Sequence, residues 1–238
     1  IFEGWDVAFG DVTAPLTVQA QYGRILHTLA VASEHGVTDP AVGIHTNAWG
    51  SELNATVTSP DTRDTTQYVC TGWVGTGSVP PDGETASVSF TITNNSGIVW
   101  NWSTNYWLAV ETAGSGGVDV ASGWFAAGSN VNVTATPATG WHFVGWSGDT
   151  NGCDVEGVTL TAPMDRARTV EARFEIDRHT LEVVSAHGGN IPGTLEAAYG
   201  TELSLSSPNS PIIDGTTQHI CIGAVVSGNA FTQPTPTS

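Results

Sequence analysis

One block of this sequence occurs twice. HTLAV at 27–31 returns as HTLEV at 179–183, HG at 35–36 as HG at 187–188, AWGSEL at 48–53 as AYGTEL at 198–203, and TTQYVC at 65–70 as TTQHIC at 216–221. The displacement drifts only between 150 and 152 residues. Self-similarity of this kind marks an array of small units rather than one large core, because each repeat is one supersecondary module.

A second kind of repeat fills the space between the copies. FEGW at 2–5 matches FVGW at 143–146, and LTVQAQY at 16–22 matches RTVEARF at 168–174. Trp5 lies 12 positions before Thr17, and Trp146 lies 23 before Thr169, so the later copy carries an 11-residue insertion around 149–156. Repeat insertions usually map to loops. The expected organisation is the C-terminal part of a type-two repeat at 1–26, a complete type-one repeat at 27–105, a complete type-two repeat at 106–177 and a truncated type-one repeat at 178–238. The second type-one copy lacks counterparts of ASVSFTI (86–92) and GIVWNW (97–102), so both ends of the chain are expected to fall inside a repeat. The chain opens on Ile1 rather than Met, from which removal of upstream residues is expected.

Hydrophobic alternation sets the fold class. Val88, Phe90 and Ile92 alternate with Ser and Thr, as do Val131, Val133 and Ala135 with Asn and Thr, and Val170, Ala172 and Phe174 with charged residues. Period two over such lengths is the signature of half-buried strands. Turn clusters AGSGG (113–117), PATG (137–140), PPDG (80–83) and NNSG (94–97) separate the runs. No dozen residues show a 3.6 period, and the one helical turn expected is a short one near Ala197. The chain is therefore all-β: small sandwich-like or β-grasp-like modules in an elongated tandem array.

Only 12% of residues are charged, with six Lys+Arg against 23 Asp+Glu and a net charge of −17. Such a surface repels phosphate backbones and anionic lipid, so nucleic acid and membrane surfaces are not expected partners. No run approaches the length of apolar residues that a membrane-spanning helix needs. The odd count of three Cys argues against a disulfide framework. Cys70 and Cys221 occupy one repeat position, which suits a small buried residue in each copy, and Cys153 has no evident partner.

The stretch AAGSNVNVTATPATGWHFVGWSGD (126–149) followed by MDRARTVEARF (164–174) resembles the divergent internalin-type B-repeats of bacterial surface proteins. The resemblance is strong over 106–176, partial over 1–22, and distant in the type-one copies through TTQYVCTGW at 65–73. It implies small β-rich modules in large secreted or cell-surface proteins, serving as spacers, stalks or adhesion modules. It carries over no catalytic residues.

Two groups of residues are candidate sites. In SGDTNGCD (147–154), Asp149, Asn151 and Asp154 are hard oxygen ligands on a glycine-containing loop, which suits calcium. The competing and favoured reading is a polar turn whose Asx side chains bond their own backbone. Trp100, Trp102, Tyr106 and Trp107 cluster at a module junction and could stack on glycans, but filling small cores and the seam between modules is the favoured role. The seven His form no constellation, since His27 and His179 are one repeat position, and His35 and His187 another. No HExxH, GxSxG or CxxC occurs, and no enzyme activity and no cofactor beyond a calcium ion is expected.

The expected function is a bacterial, secreted or cell-surface structural repeat protein. It would form a stalk, or a fibre whose copies join head to tail by β-strand addition, with other copies or adjacent repeats as partners. The alternative is an adhesin or the carbohydrate-binding region of a large secreted protein, with glycans as partners. The terminal TQPTPTS reads as a linker, as an O-glycosylated stretch or as a loop toward further strands.

Overall fold

A computed structural model describes residues 1–8, 10–187, 193–205, 210–224 and 226; TQPTPTS lies outside these. Every regular element among them is a strand. The opening residues form a hairpin, β1 (Phe2–Trp5) and β2 (Ala20–Tyr22). Next come β3 (Leu26–Ala32), β4 (Thr38–Asp39), β5 (Gly43–Ala48), β6 (Glu52–Val57), β7 (Asp61–Arg63), β8 (Thr66–Thr76), β9 (Asp82–Gly83), β10 (Ser87–Thr91) and β11 (Ser96–Ala113). They are followed by β12 (Gly116–Val118), β13 (Gly123–Ala126), β14 (Asn130–Pro137), β15 (Trp141–Gly148), β16 (Asp154–Glu156), β17 (Thr159–Pro163) and β18 (Arg168–Ile176). The last are β19 (Arg178–Glu182), β20 (Thr194–Ala198), β21 (Ile212–Asp214) and β22 (Thr217–His219). Ala197, where a helical turn is expected from sequence, lies instead in β20: Thr194–Ala198 pairs residue for residue with Arg178–Glu182, and that ladder overrides alanine's helical preference.

The chain divides into two compact units. The first contains Ile1–Glu111, Val118–Thr134 and Trp146–Glu171; the second contains Thr112–Gly117, Ala135–Gly145 and Ala172–Ser238.

In the first unit, alternation places one face of each strand in one of two cores. Leu29, Val31, Ile98, Trp100 and Trp73 from a sheet ordered β8-β11-β3-β5 meet Ala55, Val57, Val88 and Phe90 from the sheet β10-β6-β4. This is sheet-on-sheet packing. The second core sets Leu108 and Val170 against Val131, Val133, Leu160 and Ala162 of the sheet β12-β14-β17-β16. One strand serves both cores. The 18 residues of β11 keep even-numbered side chains inward from Ile98 and Trp100 to Leu108. Near its middle, β8 carries a bulge at Thr71, where the register passes from Asn101↔Gly72 to Trp102↔Cys70. Gly72 beside it has φ 125°, and a Cβ there would clash with the Gly83 carbonyl oxygen, so only glycine fits.

The second unit repeats much of this geometry in its C-terminal half. Tyr199 N–H donates to Asp177 O at 2.7 Å as Trp49 N–H does to Ile25 O at 2.8 Å. Cys221 N–H donates to Ser210 Oγ at 2.8 Å, as Cys70 N–H does to Ser59 Oγ at the same distance. Gly223 stands where Gly72 stands, again with positive φ. Elsewhere in this unit Phe174 packs edge-on against Phe143, with Gly114 and Gly116 so close that a Cβ at either would clash with it.

Candidate functional site

The insertion loop joins β15 to β16, and the buried Arg168 organises it. Arg168 has no exposed side-chain surface. Its Nε donates to Pro163 O at 2.9 Å, Nη1 to Asp149 O at 2.9 Å and Asn151 O at 2.8 Å, and Nη2 to Asp165 Oδ1 at 2.8 Å. A guanidinium offers five N–H donors in a planar fork, which suits it to gather several carbonyls at once. Arg166 adds a bond from Nη2 to Asn151 O at 3.1 Å.

Of the three candidate ligands in the loop, Asp149 turns back on the strand. Its Oδ2 accepts the Thr169 N–H at 2.9 Å while its own N–H donates to Thr169 O at 2.7 Å. Asn151 contributes its main-chain carbonyl to both arginines. Asp154 is exposed at the start of β16. Among the described residues no three or more His, Cys, Asp or Glu side chains gather in a way that could hold a metal ion.

Desolvation works to raise the Asp165 carboxyl, but the Arg168 hydrogen bond and the charges of both arginines outweigh it and hold the group below its ordinary range. Burial pushes the Cys153 thiol up despite the same two arginines, so at neutral pH it is protonated and a slow nucleophile. Cys221 is exposed. Maleimide is therefore expected to label Cys221 well before Cys153, at rates resolved by peptide mass mapping over time; labelling of Cys153 first would mean that the loop opens in solution.

The four aromatic residues singled out in the sequence all lie on β11. Trp100 is buried in the first core and meets Trp73 edge-on at 5.9 Å. Trp102 packs on that core and donates from Nε1 to Ser33 Oγ at 3.1 Å. Tyr106 packs on the second core. Trp107 lies on the opposite face of the strand, half-buried against Trp124 at 5.2 Å.

A cluster that composition did not reveal surrounds His35. Its ring stacks on Tyr68 at 3.5 Å and meets Trp102 edge-on at 5.6 Å. Asp61 Oδ2 lies 4.0 Å from its Nδ1 and accepts from Arg63 at 2.9 Å and from Gly36 N–H at 3.1 Å. The Arg63 bond foremost, with the Gly36 N–H, holds the Asp61 carboxyl below its usual range. In the second copy His187 stacks on His219 at 3.8 Å, and these are the repeat counterparts of His35 and Tyr68. Recurrence of the pair in both copies ties it to the module's packing; the sequence signal is the shared HG and TTQ[YH] spacing.

Residues 106–178 match the family model described as the divergent InlB B-repeat domain. The match runs from the middle of β11 to the first residue of β19 and includes the insertion loop and Arg168. This part of the chain is thus similar to a repeat of bacterial surface proteins. No curated protein and no solved structure matches the chain.

Proposed function

We propose that this chain is a non-enzymatic structural segment of an extracellular or cell-surface fibre or stalk, whose repeats are joined head to tail by β-strand complementation. The B-repeat match over 106–178 supports a surface repeat protein. The observation that carries the finer reading is the inner face of the second type-one copy. In the first copy β10 pairs with β6, setting Val88 beside Ala55 and Phe90 beside Leu53, and Ile98 and Trp100 of β11 close the core. Ala55 is 1% exposed there, whereas Leu205 at the same repeat position is 45% exposed, and Leu203, the counterpart of Leu53, is exposed as well. No strand is formed by 202–205 among the described residues. An exposed segment with alternate apolar side chains can accept an added strand, with main-chain bonds giving affinity and alternate side chains giving register.

The test is a peptide of residues 86–102 added to the whole chain, read by amide exchange. Binding in the micromolar range (roughly −8 kcal/mol) with new protection at Leu203 and Leu205 is expected, and a peptide carrying Phe90→Asp should fail. No binding at about 1 mM, or protection elsewhere, would overturn the complementation reading. An adhesin or glycan-binding role would draw on a row of exposed aromatics, and the four on β11 are instead occupied with packing against the cores or against Trp124.

A further inference from the structure

β5 is an open edge of its sheet and lacks the protection that edges usually carry. Among the described residues it pairs with β3 alone, over Leu26↔Ala48 to Val31↔Gly43 with no bulge. Trp49 N–H donates to Ile25 O, which sets the phase of the ladder. Because alternate residues of an antiparallel pair face the neighbour, Gly43, His45 and Asn47 bond to β3, while Ile44 and Thr46 direct N–H and C=O away from it. Natural edges are blunted by charge, proline, bulges or brevity. The six residues GIHTNA contain no Asp, Glu, Lys, Arg or Pro, and Ile44 is 75% exposed.

The second type-one copy shows that the module does not require this. At the positions of Leu26, Ala30 and Thr46 it carries Arg178, Glu182 and Glu196, and Thr194 replaces Ile44. The same outward positions are thus solvated by charge in one copy and left neutral in the other. In a chain of net charge −17, a neutral apolar edge is where a second equally acidic molecule can approach at least cost.

We propose that β5 is a seam between two copies of this chain, in which β5 pairs antiparallel with its own counterpart about a two-fold axis at Thr46. Thr46 then faces Thr46 of the second copy, and Ile44 lies beside its Ala48, which continues the sheet across both molecules. Such an interface is isologous, the same strand serving on each side. A six-residue seam falls below the roughly 800 Å² per partner of a standard interface, so the pairing is weak for two isolated molecules and gains from repetition on a crowded surface. It does not depend on strand complementation in the second copy.

Sedimentation of the whole chain from about 5 μM to about 1 mM tests this, over the range where a weak seam would populate dimers. Dimers are expected, strengthened by added salt because salt screens the repulsion between two acidic molecules. Amide exchange at Ile44 and Thr46 should slow as concentration rises. The double substitution Ile44→Thr with Thr46→Glu installs the residues of the second copy, where the same β-pairing carries them, and is expected to weaken association on the order of tenfold or more. Val99→Thr, on the same outer face two strands from the edge, should leave it unchanged. A chain that stays monomeric at 1 mM, a double variant that dimerises as well as the parent, or protection that develops away from β5 would each overturn the proposal.

Discussion

Replacing Arg168 by alanine is expected to destabilise the chain by about 3 kcal/mol, the cost of removing a buried guanidinium that bonds to four acceptors at once. The guanidinium holds Pro163, Asp149 and Asn151 through their carbonyls and Asp165 through its carboxylate, and no other side chain among the described residues reaches three of these groups. Its position in the repeat strengthens the case. The opening copy of the type-two repeat has the short connection, and there Leu16 stands where Arg168 stands. Insertion and arginine occur together, and neither occurs without the other. Arg168→Leu should therefore also lose about 2–3 kcal/mol, since it restores apolar volume but no donors. Lysine brings a point charge without the fork, so Arg168→Lys should recover only part of the loss. Shortening the 147–156 connection in the Leu variant should return stability beyond the sum of the separate effects, as coupled sites do. Urea unfolding followed by circular dichroism measures all four, and an unchanged midpoint in Arg168→Ala would sink the idea. Acid supplies a second readout. A carboxyl held below its unfolded value contributes stability that is present above that value and is lost as pH falls through the folded one. The Asp165–Arg168 bond should therefore survive down through the ordinary carboxylate value of 3.8 and release only below it.

Much of this architecture is legible in the residues. The strands Ser87–Thr91, Asn130–Pro137 and Arg168–Ile176 alternate in sequence as they do in burial, because each has one face in a core and one in water. The repeated blocks share particular hydrogen bonds in both copies, those of Trp49 and Tyr199 N–H and of Cys70 and Cys221 N–H among them. What sequence conceals is continuity and partnership. GIVWNW and YWLAVETA read as two runs because Ser103, Thr104 and Asn105 between them are polar. They form a single strand in which even-numbered residues are buried at both Trp100 and Leu108, and the expected boundary between 105 and 106 falls inside β11. In the loop at 147–154, residue types draw attention to carboxylate and amide side chains, yet the main-chain carbonyls do the gathering and the cation they meet is Arg168. Backbone acceptors have no letter in a sequence. The substitution of leucine by arginine beside an insertion was the available signal. The neutral edge at β5 likewise becomes visible only when the structure fixes which residues of the two copies point outward.

Trp100→Ala is expected to be the most damaging single change in the first core, costing about 3–5 kcal/mol as large aromatic truncations do. Trp100 is 2% exposed, and it lies edge-on to Trp73 at 5.9 Å, a geometry worth about 1 kcal/mol beyond buried area. A domain with a total stability of about 5–15 kcal/mol loses much of its margin to such a cavity. Trp100→Phe separates two contributions. The indole N–H of Trp100 is buried without an acceptor among the described residues, a defect that costs about 1–3 kcal/mol. Phenylalanine removes that defect along with some area, so its net effect should be about 1 kcal/mol or less. If Phe is nearly as harmful as Ala, the indole N–H has a partner in solution and the core is held partly by that bond. Because β11 serves both cores, the loss should not stay local. Amide exchange in Trp100→Ala should accelerate at Val131, Val133 and Leu160 as well as at Leu29 and Ile98, since unpairing one end of β11 removes a neighbour from the second core. Acceleration confined to the first core would mean that the strand is continuous in geometry but that its two halves unfold independently.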